Sequence, residues 1–102
     1  MKPFIIHADA EAELREALER YERERAGLGG EFRAEFEAAL ERIRQNPYLY
    51  AAEDESAARH CPLQRFSYSL VYVDLEEHIW IVAVAHHRRR PGYWARRQLS
   101  RA

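Results

Sequence analysis

The fold of this chain is decided by the stretch FSYSLVYVDLEEHIWIVAVA, residues 66–85. Apolar and small polar side chains alternate over Tyr68–Asp74, which predicts a strand whose aromatic and leucine side chains share one face. The acidic turn at residues 75–77 leads into Ile79–Ala85, which is apolar at every position. A run that is apolar on both faces is typical of the middle of a sheet, so we predict that it forms the central strand.

Two amphipathic helices precede these strands. Apolar residues recur at helical spacing over Ala10–Arg25 and again over Glu31–Gln45, opposite faces rich in glutamate and arginine. Asp9 is predicted to cap the first helix, and Gly29-Gly30 to form the reversal between the two. Two helices with such a short link are expected to form an antiparallel hairpin, and the run Phe4–Ile6 ahead of them predicts a short first strand.

The remaining segments complete an α+β fold. Residues 48–58 are predicted to form an acidic surface loop, and His60–Phe66 a weak strand that tolerates Pro62 only at a sheet edge or a bulge. We therefore predict an N-terminal strand and a helical hairpin packed on a small antiparallel sheet, in the order β-α-α-β-β-β. We allow for a short C-terminal helix and treat residues 1–102 as one domain.

The charge of the chain is unevenly distributed, although the formal net charge is only −1. Residues 1–58 carry 14 acidic and 8 basic side chains, whereas residues 59–102 carry 3 acidic and 8 basic ones, all of them arginine. The asymmetry fits either two ordinary solvated faces or a basic end directed at an anion or an acidic partner. A pI near 6.5 argues against broad nonspecific binding of nucleic acid.

Composition indicates a soluble cytoplasmic protein. Hydrophobic residues make up 47% and charged residues 32% of the chain, as in ordinary globular domains. The run Ile79–Ala85 is the longest apolar segment and is far shorter than the roughly 20 residues of a membrane helix. No signal peptide is visible, and the single cysteine, Cys61, suits a reducing compartment because it has no internal disulfide partner.

The segment His86–Arg90, directly after the predicted central strand, is the strongest candidate for chemistry. Adjacent strand residues point to opposite faces, so His86 and His87 cannot easily share a metal ion. No metal-binding or cofactor-binding motif accompanies them, and we expect neither a metal nor a cofactor. One histidine remains open as a general acid or base, and the arginines as a phosphate clamp or an ordinary solvated turn.

Other basic residues could extend this site. Arg65 is predicted to project onto the exposed sheet face, where it could converge with Arg59, Arg88 and Arg89 on one concave surface. The pair Tyr93-Trp94 is predicted to pack back onto the sheet as core.

The order of these features resembles the RelE/ParE superfamily of type II toxin–antitoxin toxins, in particular the ParE-like "plasmid stabilization" branch. The resemblance is carried by the hairpin with its Gly-Leu-Gly-Gly turn at 27–30, by Asn46-Pro47-Tyr48, by the strand at 65–72 and by residues 81–94. It covers nearly the whole chain. The common family form has proline where Ser67 stands here, a departure that is expected to matter little.

The resemblance implies a bacterial toxin that arrests growth unless a cognate antitoxin binds it. Antitoxins of this superfamily lay an extended or helical segment over the toxin, so we expect a toxin–antitoxin hetero-oligomer. The apolar seams beside the two helices and the basic C-terminal half are the expected docking ground. The residues expected to contact the antitoxin are Leu14, Leu18, Phe32, Phe36, Arg65, Arg88 and Arg89.

The superfamily divides by target. ParE-like members poison DNA gyrase without doing chemistry, and we favour this reading because the hairpin is long, Lys2 is the only lysine and the helical half is acidic. The alternative is a RelE-like, ribosome-dependent mRNA endonuclease, and a third reading is a decayed toxin that only binds its antitoxin. The resemblance would place the catalytic groups of an endonuclease at Arg65, His86, His87, Arg88, Arg89 and Tyr93.

Overall fold

Two helices and four strands follow one another in the predicted order, which confirms the α+β class. The computed structural model describes residues 1–52 and 57–99, so that part of the predicted acidic loop lies outside the described residues. The elements are β1 (Phe4–Ile6), α1 (Ala8–Glu24), α2 (Leu28–Gln45), β2 (Ala58–Pro62), β3 (Tyr68–Asp74), β4 (Ile79–His86) and a C-terminal 3-10 turn (Ala95–Leu99). Neither helix in these residues has an apolar stretch long enough to cross a membrane.

The four strands form one mixed sheet in the order β1-β4-β3-β2. β4 lies between β1 and β3, which confirms the prediction of a central strand. β2 covers Ala58–Pro62, earlier in the chain than the predicted His60–Phe66, and it lies at an edge, one of the two settings predicted for Pro62. β2, β3 and β4 pair antiparallel, as predicted, whereas β1 pairs with β4 in parallel register, Ile5 opposite Trp80, so the sheet is mixed. Apolar patterning identifies a strand but carries no information on the direction in which two distant strands pair.

Both helices begin earlier than the sequence predicted. His7 is the N-cap of α1, since its Nδ1 accepts a hydrogen bond of 2.9 Å from the backbone N–H of Asp9, so the predicted cap at Asp9 was wrong. The link between the helices is only residues 25–27, with Gly27 in the left-handed region at φ 90°. Gly29 and Gly30 belong to the first turn of α2, and Gly29 lies buried against α1.

The helices cover one face of the sheet with an aromatic core. Tyr68 packs edge-on against Phe32 at 5.2 Å between ring centroids, and Phe32 meets Phe66 at 5.0 Å. Leu70 and Tyr72 of β3 point to the same face and are fully buried. This shared face confirms the alternation predicted for β3 and fixes the hairpin on the sheet.

The opposite face of the sheet has a second buried cluster that includes Val71, Trp80 and Trp94. Trp94 is only 3% exposed, which confirms that this residue packs back onto the sheet. A β-bulge interrupts the pairing of β3 with β4: Val71 lies opposite Ala83 and Tyr72 opposite Ile81. The bulge inserts one residue and thereby shifts the alternation of the last residues of β4.

Candidate functional site

The bulge in β4 decides which side chains reach the helix-covered face at the end of the sheet. Strict alternation from Ile81 would direct residues 83, 85 and 87 to that face. After the inserted residue, Val84 packs in the helix-side core and His86 packs on Tyr68, with ring centroids 5.0 Å apart. The sheet therefore presents His86, and not His87, to helix α1.

A cavity of about 230 Å³ lies where α1 meets the end of β4, and we call it the α1–β4 pocket. It collects charged and hydrogen-bonding groups from both helix and sheet. Its lining residues are Glu13, Glu16, Arg20, Tyr68, Val84, His86, Arg88, Arg89 and Tyr93.

Arg20 is the member of this pocket that sequence reasoning missed. Its Nη2 donates a hydrogen bond to the hydroxyl oxygen of Tyr68, and its guanidinium carbon lies 5.5 Å from the centre of that ring. In the sequence Arg20 stands four residues after Glu16 and looks like one half of an ordinary helical ion pair. The signal that could have singled it out is its place one turn after Ala17 and next to Tyr21, at the border of the apolar stripe.

His86 is held in a defined orientation and in its neutral form. Its Nδ1 accepts a hydrogen bond of 3.0 Å from the backbone N–H of Arg88, so the neutral ring carries its proton on Nε2. Burial lowers the pKa of His86, and the positive charges of Arg20 and Arg88 lower it further. At neutral pH the ring is therefore uncharged and offers an N–H donor.

His87 makes different contacts from its neighbour. Its Nε2 lies 2.9 Å from the hydroxyl of Ser69, on the face of β3 opposite Tyr68. A second cavity of about 260 Å³ lies there, bounded by Ser69, His87, Pro91 and Trp94. The two histidines therefore have different hydrogen-bond partners, as the alternation of strand residues predicted.

Tyr93 is engaged with α1 and with the C-terminal 3-10 turn. Its hydroxyl donates to Glu13 Oε2 at 2.7 Å, and Arg97 binds the same carboxylate with both terminal nitrogens. Burial, together with the hydrogen bond to Glu13, raises the pKa of the Tyr93 phenol well above its usual range. Tyr93 therefore stays protonated, and its hydroxyl is engaged as a hydrogen-bond donor to Glu13.

Two of the remaining basic candidates, Arg65 and Arg59, lie away from the α1–β4 pocket. Arg65 binds Glu31 at 3.0 Å and Glu35 at 3.4 Å, so its side chain faces α2 and does not line the α1–β4 pocket. Arg59 donates to the carbonyl oxygen of Tyr50. The predicted convergence of Arg59 and Arg65 with Arg88 and Arg89 on one surface was wrong, because the carboxylates of α2 capture Arg65.

Arg88 and Arg89 both line the pocket but differ in their contacts. The guanidinium carbon of Arg89 lies 3.8 Å above the centre of the Tyr93 ring, a close cation–π contact. Within residues 1–52 and 57–99, the guanidinium of Arg88 has no ion-pair partner and is exposed. Arg88 is therefore free to meet a ligand.

The residues expected to contact an antitoxin lie at different depths. Phe32 and Phe36 are 0% and 6% exposed, so they belong to the core and reach the surface hardly or not at all. Leu14 and Leu18 are half-buried, and Leu18 borders a shallow groove between the helices together with Gly30 and Arg33. Docking of an antitoxin on this hairpin remains a prediction that rests on the groove.

No metal centre is assembled in the part of the chain that the structure describes. In residues 1–52 and 57–99, no three histidine, cysteine, aspartate or glutamate side chains lie in a group that could hold an ion.

Comparisons with known proteins identify the family. No curated protein sequence matches the chain significantly. The fold is similar to the solved structure titled "Chromosomal ParDE TA system from P. aeruginosa", with a TM-score of 0.72 and 16% identity, covering 84% of this chain and 96% of that one. The family model described as "ParE toxin of type II toxin-antitoxin system, parDE" matches residues 4–91. The chain therefore belongs to the ParE family of type II toxin–antitoxin toxins.

Proposed function

We propose that this ParE-family toxin arrests growth by poisoning DNA gyrase in the cytoplasm and is neutralised by a cognate antitoxin. The observation that carries the proposal is the family match over residues 4–91, since ParE-like toxins are the branch that the resemblance links to gyrase. In this mechanism the toxin stabilises the cleaved complex of gyrase with DNA and performs no bond-making or bond-breaking step of its own.

The contacts of the endonuclease candidates support a non-enzymatic mechanism. Arg65 is held by Glu31 and Glu35, and the Tyr93 hydroxyl is held by Glu13. His86 uses Nδ1 to accept from the backbone of Arg88, so this nitrogen is not available as a base. Arg65 and the Tyr93 hydroxyl are engaged in holding the fold together, and Arg65 lies outside the pocket that His86 and Tyr93 line.

A cleavage assay with gyrase and supercoiled DNA tests the proposal. We expect the purified toxin to accumulate linear DNA when gyrase and ATP are present, and the antitoxin to reverse the effect. The matched control omits gyrase, and circular dichroism checks that the toxin is folded. Intact supercoiling activity in the presence of folded toxin, or harmless expression of folded toxin in cells, would refute it.

A second candidate function is ribosome-dependent cleavage of mRNA. The observation that favours it is the α1–β4 pocket, where Arg20, His86 and Arg88 lie together with the carboxylate of Glu16. Primer extension on translated mRNA tests it, with Glu16→Gln and His86→Gln as the acid–base variants. Cuts that vanish in either variant while antitoxin binding persists favour the endonuclease, and the absence of cuts with the wild-type chain excludes it.

We further propose that the antitoxin binds the groove between α1 and α2 near their connection. Gly30 gives a direct test, because a Cβ added there meets no atom within 4 Å and Gly30→Gln can fill the groove without disturbing the fold. We expect Gly30→Gln to weaken antitoxin binding strongly and the exposed Ala34→Gln on the same helix to leave it unchanged. Equal affinity of both variants and the wild type would exclude the groove.

A further inference from the structure

Arg20 and Arg88 are two cations of the α1–β4 pocket that no carboxylate neutralises within the described residues 1–52 and 57–99. Arg20 has Glu16 and Glu24 one helical turn away on either side, yet its guanidinium bonds to the Tyr68 hydroxyl. Arg88 lines the same cavity without an ion pair. Two unpaired guanidinium groups around one concave site favour the binding of an anion.

The Tyr68 hydroxyl and the His86 ring also present hydrogen-bond donors to the pocket. The Tyr68 oxygen accepts from Arg20, so its own hydrogen points elsewhere, and burial raises the pKa of this phenol and keeps it protonated. The His86 ring carries its proton on Nε2, because Nδ1 accepts from Arg88 N–H. A ligand in the pocket therefore meets guanidinium, hydroxyl and imidazole hydrogens, which are complementary to the oxygens of a phosphate.

The acidic residues of the pocket do not neutralise Arg20 and Arg88. Glu13 is neutralised by the two-point ion pair with Arg97 and by the Tyr93 hydroxyl. Glu16 lies at the rim as an exposed carboxylate and is the one acidic lining group of the pocket without a partner in the described residues. The negative charge of Glu16 repels a bound anion. Removal of this charge should therefore strengthen anion binding, whereas removal of either arginine should weaken it.

We propose that the α1–β4 pocket binds a phosphodiester group of the DNA backbone through Arg20, Tyr68, His86 and Arg88. A cavity of about 230 Å³ is wide enough for one phosphate with its flanking sugar oxygens. The inference rests on the proposed action on gyrase, since it assigns the pocket to the DNA that gyrase holds. Contacts to phosphate position a protein on DNA without reading sequence, and a single site is consistent with the absence of a strongly basic surface.

Binding of a short fluorescein-labelled DNA duplex, followed by anisotropy at about 50 mM salt and above, tests the proposal without gyrase. Arg20→Gln and Arg88→Gln are each expected to weaken binding about tenfold, the effect of losing one charge-assisted hydrogen bond. Each is also expected to reduce the slope of log K against log salt by about 0.9. Glu16→Gln should strengthen binding, and Arg23→Gln, an exposed arginine near the end of α1 that lies outside the pocket, should leave it unchanged.

Nuclear magnetic resonance of the His86 ring distinguishes the source of the phosphate. Addition of the duplex is expected to raise the pKa of His86, because a bound anion favours the charged ring. The proposal is overturned if the duplex does not bind, if Arg20→Gln binds as the wild type does, or if inorganic phosphate moves the His86 signal while the duplex does not. Loss of DNA binding with intact gyrase poisoning would overturn only this assignment, whereas DNA binding without gyrase poisoning would leave it standing and refute the proposed function.

Discussion

Arg97 binds the carboxylate of Glu13 at two points, with Nη1 2.9 Å from Oε1 and Nη2 3.0 Å from Oε2. Both side chains are largely buried, at 16% and 13% exposure. Glu13 also accepts from the backbone N–H of Val84, and Arg97 also donates to the carbonyl oxygen of Val82. The ion pair therefore supplies hydrogen-bond partners to backbone groups of β4 that lie beyond the residues paired with β1. It also fixes the C-terminal 3-10 turn to α1.

Removal of the Glu13 charge is expected to destabilise the protein. Glu13→Gln leaves the guanidinium of Arg97 largely buried without its counter-charge, and we expect the free energy of unfolding to fall by about 2–3 kcal/mol. Urea unfolding measures it, with the exposed Glu19→Gln on the same helix as the control. In a double-mutant cycle with Arg97→Gln, a coupling energy near zero would contradict the role of the pair.

Two neighbouring glycines should respond in opposite directions to alanine. A Cβ at Gly29 would lie 2.7 Å from the backbone oxygen of Leu18, so Gly29→Ala must push the helices apart and is expected to cost about 1–3 kcal/mol. Gly30→Ala adds a methyl group to open space in the same helical turn and should gain about 0.5 kcal/mol. Thermal unfolding measures the stability of both variants. Equal changes in stability would show that the close approach of α1 to Gly29 does not exclude a side chain there.

The aromatic core depends on Phe32. This residue is fully buried between Tyr21, Phe66 and Tyr68, so Phe32→Ala is expected to lower the free energy of unfolding by about 3–5 kcal/mol. Tyr48→Ala removes an aromatic ring that is 72% exposed and should change it by less than about 0.5 kcal/mol. If antitoxin binding fell in Phe32→Ala while the fold stayed stable, the side chain would have a direct role in docking.

Alkaline pH is expected to unfold the protein through its buried tyrosines. Burial raises the pKa of Tyr72 from 10.0 to about 12, so the unfolded chain loses this proton first. The stability that Tyr72 contributes is therefore fully present below about pH 10 and is lost as the pH rises towards about 12. Urea unfolding across this range should show a decline that Tyr72→Phe flattens and the exposed Tyr48→Phe does not.

Tyr93 adds to the same alkaline decline, since burial and the hydrogen bond to Glu13 raise the pKa of its phenol in the same direction. Tyr72→Phe should therefore remove only part of the pH dependence. A pH profile that Tyr72→Phe leaves unchanged would contradict the assignment to this residue.

The strands and helices could be predicted from the sequence because their signals are local. Alternation marked β3, an unbroken apolar run marked β4, and helical spacing marked the hairpin. The bulge at Val82 could not be predicted, because every residue of Ile79–Ala85 is apolar and a shift in alternation leaves no trace in such a run. That shift is what brings His86 into the pocket, so the site depends on a feature that patterning does not record.

The partners of the charged side chains could not be predicted from the sequence either. Arg65 and Arg20 are both exposed arginines with glutamates nearby in space or in sequence, and spacing alone favoured Arg65 for the site and an ion pair for Arg20. The structure reverses this, because Glu31 and Glu35 of α2 hold Arg65 while the Tyr68 hydroxyl holds Arg20. Such choices depend on tertiary contacts between elements far apart in the chain.

The parallel pairing of β1 with β4 also bears on the order in which the sheet can assemble. The paired residues are far apart in the chain, since Phe4 lies opposite Ile79 and Ile6 opposite Ile81. Contacts of such long sequence separation form late, because the intervening chain must be ordered first. β1 therefore joins the sheet only after both helices and β4 have been made, and a chain interrupted before residue 79 has no partner strand for Phe4–Ile6.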